Sequence, residues 1–95
     1  MKEEISLLTN VTEEIVYSIV KVLMRGPEYQ TFCKCNQCEM DIIALSLNTL
    51  PAHYVTTEKG RDAVFERLNT NENLEWINKR IIQSIHVVGK YPHRS

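Results

Sequence analysis

The 95 residues are enough for one hydrophobic core and no more, so a single domain over residues 1–95 is expected. An apolar fraction of 43% excludes wholesale disorder, and a formal net charge of −1 with scattered Lys and Arg argues against a DNA-backbone binder. No apolar run reaches the roughly 18 residues of a membrane span, and the acid in Met1-Lys2-Glu3-Glu4 comes too early for a secretory n-region; a cytoplasmic protein with reduced thiols is the expectation.

The first predicted element follows Asn10-Val11-Thr12-Glu13, a capping-box arrangement with Asn in place of Ser or Thr. Ile15, Val16, Ile19, Val20 and Leu23 then make one amphipathic stripe. Glu13 and Glu14 at its start and Lys21 and Arg25 at its end suit the helix dipole. Gly26-Pro27 stops it, giving a helix over about 11–25.

Next comes the most informative tract, Cys33-Lys34-Cys35-Asn36-Gln37-Cys38, which holds all three cysteines of the chain. Asn36-Gln37-Cys38-Glu39 again has the capping pattern, and an apolar helix follows. Met40, Ile43, Ala44 and Leu47 form one stripe, while Ile42, Leu45 and Leu50 add a second. A helix apolar nearly all round must be covered on most sides, between other helices or between two subunits. It should end near Asn48, before Pro51.

Pro51 to Thr56 reads as extended, and 63–68 as either a helical turn or a short strand. Asn69-Thr70-Asn71-Glu72 is a third box. After it Leu74, Ile77, Ile81, Ile85 and Val88 make a seam, with Trp76, Ile82 and His86 off it. Gly89 and Pro92 are expected to close this helix. The fold class is therefore a small, mainly α domain of three principal helices with a Cys-rich loop.

Three thiolates make most of a tetrahedral zinc shell, one donor short of a closed structural site. A helix N-terminus at Cys38 favours the thiolate that zinc requires. His93, His53, His86, a water or a partner group could supply the fourth ligand, and His93 is preferred because it follows the last helix in a tail able to fold back. The competing readings are three small core residues without metal, and a redox pair at Cys35 and Cys38, which lacks a βαβ setting. Haem attachment fails because Glu39 follows Cys38. No phosphate loop, nucleophile elbow or His-x-x-x-His motif supports catalysis, so no enzyme activity is expected.

Taken together, Cys33 to Cys38, Asp41-Ile42-Ile43-Ala44-Leu45-Ser46-Leu47-Asn48 and Leu50-Pro51-Ala52-His53-Tyr54-Val55-Thr56 resemble the ComFB family of late-competence proteins. The resemblance spans about residues 15–88 and implies a dimeric, non-enzymatic bacterial protein. Members with this cysteine run are associated with zinc. A further cysteine near the C-terminus can complete their set; this chain lacks it, and His93 lies in the comparable tail.

Some relatives, notably in cyanobacteria, are receptors for cyclic di-GMP, which makes that nucleotide the implied ligand. Two phosphates and two guanines need cationic and flat side chains. His53, Tyr54, Lys59 and Arg61 around the Pro51 loop offer them, as do Arg80, Lys90, Tyr91 and Arg94 on or after the last helix. A two-fold dimer would present one patch twice to a two-fold nucleotide. The ordinary alternative is that these charges are merely solvated, Arg80 and Lys79 pairing along their own helix. A rival function is a protein-interaction adaptor of the competence system, docking a regulatory protein without nucleotide. A thiol oxidoreductase ranks third.

Overall fold

The computed structural model describes residues 8–90. Thr9–Asn10 (β1) leads into helix α1, Val11–Met24. A single 3-10 turn, Pro27–Tyr29, separates α1 from α2, Asn36–Leu47. Tyr54–Val55 (β2) precedes α3, Glu58–Leu68, and α4 closes the order at Asn71–Lys90. The strands pair antiparallel, Thr9 opposite Val55 and Asn10 opposite Tyr54. Within the stretch read as extended, Pro51 to Thr56, strand structure covers Tyr54–Val55, and β1, equally short, left no period in the sequence.

Helix α1 starts where expected. Asn10 is extended and its Oδ1 accepts from the Thr12 amide at 3.2 Å. The same oxygen accepts from the His53 amide at 2.8 Å, and the Val11 amide donates to the His53 carbonyl at 2.8 Å. One side chain therefore caps the helix and ties its start to the strand that follows α2. Thr12, 3% exposed, donates its hydroxyl to the Pro51 carbonyl at 2.8 Å. With that proton engaged, its oxygen accepts from His53 Nδ1 at 3.0 Å, which selects the Nδ1–H tautomer.

Helix α2 lies between α1 and α4. Ile42 and Ile43 of α2 are buried against Ile15, Val16 and Val20 of α1 and Ile77, Ile81 and Ile85 of α4, with Met24, Tyr29 and Leu50 in the same cluster. The expected α4 seam is found: Ile77, Ile81 and Ile85 are buried, and Leu74 and Val88 pack at its edges. Burying each such aliphatic side chain is worth about 1.5–3 kcal/mol relative to leaving it in water. Expectation and structure part at the outer side of α2, where Met40 is 47% exposed. The buried stripe is Cys38, Ile42, Ile43 and Ser46, because helices cover two sides of α2 and leave a third open. Ser46 lies inside this stripe at no cost in unpaired groups, since its hydroxyl donates to the Ile42 carbonyl at 2.8 Å.

Of the two readings of 63–68, a helical turn or a short strand, the helical one holds and is longer than expected: the stretch belongs to α3, an eleven-residue helix begun by Thr57, whose Oγ1 accepts from the Gly60 amide at 3.0 Å. None of its residues is fully buried, so its apolar period is weak, and Val64 and Leu68 alone touch the core from it. Gly89 lies in the last described turn of α4, which runs to Lys90, close to the expected end, and Pro92 lies outside the described residues. Of the described helices, none is long and apolar enough to cross a membrane.

Candidate metal centre

Cys35 is the N-cap of α2, with extended backbone at φ −69°, ψ 163°. Its Sγ accepts from the Cys38 amide at 3.4 Å, so the helix begins one residue earlier than the Asn36 box implied. Cys38 stands on the first turn, 1% exposed, and Cys33 comes from the preceding stretch. The three Sγ atoms lie within 4.8 Å of one another and form, among the described residues, a metal-type donor group. Zn–S bonds of about 2.3 Å in a tetrahedron set sulfurs about 3.8 Å apart, so closing on zinc asks for roughly 1 Å of side-chain rotation. The donor set fits zinc.

Electrostatics favour the charged form of the cap. The Cys38 amide, helped by a hydrogen bond from Cys33, holds the Cys35 thiol below the usual thiol range against the opposing effect of desolvation. Neighbouring contacts steady the loop on both flanks. Lys34 Nζ folds back to donate to the Tyr29 and Gln30 carbonyls at 2.8 and 3.2 Å. Lys21 of α1 reaches Glu39, next to Cys38, at 2.7 Å, and that carboxylate raises the lysine's pKa above its ordinary value. Phe32, directly before Cys33, meets Tyr29 edge-on at 5.2 Å and His86 at 5.8 Å between ring centroids.

The preferred fourth donor, His93, and the tail arginine Arg94 lie outside the described residues, as does Tyr91. Neither His53 nor His86 joins the thiol group. His53 is engaged with Thr12, and His86 meets Phe32 and Tyr29 edge-on. The remaining ligand candidates fall on two elements. Tyr54 is 63% exposed on β2, and α3, carrying exposed Lys59 and half-buried Arg61 near its start, packs against that strand. Arg61 already bonds Glu14 of α1 at 2.8 Å and Asp62 at 3.3 Å. Arg80 and Lys90 stand on α4. Sequence reasoning passed over Lys34 and Phe32 and read Gly89 only as a stop; an isolated glycine inside an otherwise unbroken helical seam was the available signal.

A cap-and-loop thiol cluster on a small four-helix domain defines a helical protein with a metal-type centre at a helix start. The family model described as late competence development protein ComFB matches residues 9–92, and the chain belongs to that family. Among solved structures it is similar to the late competence protein ComFB from Bacillus subtilis, at 25% identity and a TM-score of 0.77, over 93% of this chain and 97% of that one. No curated protein matches it significantly.

Proposed function

We propose that this ComFB-family chain is a non-enzymatic bacterial signalling protein that holds structural zinc, assembles as a homodimer and binds cyclic di-GMP. The observation that carries the metal is the three Sγ atoms within 4.8 Å at the start of α2. Zinc on Cys33, Cys35 and Cys38 would join the loop to the helix and supply fold stability that a small core cannot. His93 is the fourth donor in this reading. The last described residue, Lys90, lines the same surface depression as Phe32, which immediately precedes Cys33. Three further residues reach about 10 Å, enough to return a side chain to the loop.

The nucleotide reading is supported by exposed Tyr54 on β2 and by Lys59 and Arg61 on α3, which packs against that strand, an aromatic face and two cations on neighbouring elements. His53, Arg80 and Arg94 are the further candidates from sequence. Because Glu14 holds Arg61, a phosphate there must take over the guanidinium from a carboxylate. Arg61 then switches partners on binding. Calorimetry of cyclic di-GMP with zinc-loaded protein should give saturable heat at micromolar ligand, weakened in Arg61→Ala. Absence of heat removes the receptor reading.

An adaptor function is the second reading, favoured by an open apolar groove of about 470 Å³ between α1, α3 and α4. Val22 beside it is 68% exposed and Phe65 40%. Recovery of a stable protein partner without nucleotide, abolished by Val22→Asp, would select it.

A further inference from the structure

We infer that Gly89 is a positioning residue for the metal: its missing side chain is the notch in α4 that seats Phe32 and thereby places Cys33. The inference rests on the zinc reading and adds a residue far from the thiols in sequence.

Of the three donors, Cys35 and Cys38 are fixed by the helix they start, through the cap and the first turn. Cys33 is different. Cys33 and Lys34 belong to no helix, strand or turn, so the backbone at Cys33 is placed by its neighbours, Lys34 on the Tyr29 and Gln30 carbonyls after it and Phe32 directly before it, while its thiol meets Cys35. Directly before it, the Phe32 amide donates to the Tyr29 carbonyl at 3.1 Å, and the Phe32 ring packs against the core. On α4 that ring meets Gly89 so closely that a methyl group at 89 would stand 2.6 Å from Phe32 Cδ2 and nearer still to Cε2. Carbon atoms in contact need about 3.5–4.0 Å. Tyr29 and His86 flank the ring edge-on, which limits where it can swing. A side chain at 89 must therefore push Phe32 outward and carry the adjoining Cys33 with it.

Glycine is a poorer helix former than alanine. Gly89 lies in the last described turn of α4, one residue before Lys90. Its presence there is explained by the ring it admits. The role is one of preorganisation: supporting contacts around a metal centre typically change metal affinity about 10–100-fold when removed.

Zinc affinity measured by chelator competition on the full chain tests this. Gly89→Ala should weaken zinc binding about tenfold or more, while helix content by circular dichroism stays the same. Phe32→Ala should weaken it similarly, and adding Gly89→Ala to Phe32→Ala should cost nothing further, because there is no ring left to displace. In metal-free protein, site-resolved alkylation should rise at Cys33 in Gly89→Ala and stay constant at Cys35 and Cys38. A general loosening would raise all three rates and overturn the assignment. So would equal zinc affinity in Gly89→Ala and the parent, or an additive double variant. If the parent itself takes up no zinc, the metal reading fails along with this one; if the parent binds and the variant matches it, this inference alone fails.

Discussion

Helices α1 and α2 pack against each other and both begin at an extended capping residue, but they are finished by different chemistry. At α1 the cap is an amide oxygen that accepts from two backbone N–H groups, Thr12 and His53, at 3.2 and 2.8 Å. Thr12 then carries a hydroxyl link to Pro51 and His53. Protein groups supply everything that start needs. At α2 the cap is the sulfur of Cys35, accepting at 3.4 Å, with two more sulfurs close by. A thiol is a weak acceptor. A thiolate is a better one, and a thiolate on zinc is fixed in place. The first helix start is closed by the chain; the second, in the proposed reading, is closed by a cation.

The comparison is broken most severely at the sulfur end. Cys38→Ser, at a donor only 1% exposed, should abolish tight zinc binding. A ligand held at about a thousandfold above its Kd stabilises by about 4 kcal/mol, which in a 60–100-residue domain is about 15–30 °C of Tm. Chelator treatment of the parent should give a fall of the same order, and treatment of Cys38→Ser none. Thermal unfolding with and without chelator measures both.

At the other start, Thr12→Val keeps the shape but leaves the Pro51 carbonyl and His53 Nδ1 without their partner. The expected loss is about 1–3 kcal/mol, read by urea denaturation and equal in zinc-loaded and metal-free protein. A zinc-dependent loss would mean that the two starts are coupled.

pH sharpens the contrast. Cys35 has a depressed pKa in the folded chain, so its contribution in metal-free protein is present above the ordinary thiol pKa of 9.0 and lost as pH falls through the folded value. Cys35→Ser should flatten that part of the metal-free stability–pH curve, whereas Asn10→Ala should lower the whole curve by about 1 kcal/mol without changing its shape.

The smallest effect is expected at Lys21→Ala. Its bond to Glu39 is short, but the lysine side chain is partly solvent-exposed, and pairs so placed contribute little to stability. High salt should reduce whatever is measured.

The two helix starts were also unequally legible. Asn10 declared itself because an Asn-x-x-Glu pattern preceded an apolar stripe of the right period. The three sulfurs announced a site by spacing alone, and the folded chain brings them together. What stayed hidden were features with no period to betray them. Helix α3 buries no residue completely, so only its Thr57 cap and the Val64–Leu68 spacing marked it. The cap of α2 was misplaced by one residue because asparagine is the commoner helix starter and sulfur a rare one. Gly89 reads only as a terminator in sequence because the ring it sits against, Phe32, lies 57 positions earlier. The family resemblance read from residues 33 to 56 holds over 9–92.

Zinc-edge X-ray absorption on protein purified without added metal tests the central claim most directly, because it reports both metal and donors. One zinc per chain is predicted, with three sulfurs at about 2.3 Å and one nitrogen at about 2.0–2.1 Å that disappears in His93→Ala. A chain that carries no zinc, or zinc surrounded only by oxygen and nitrogen, would contradict it.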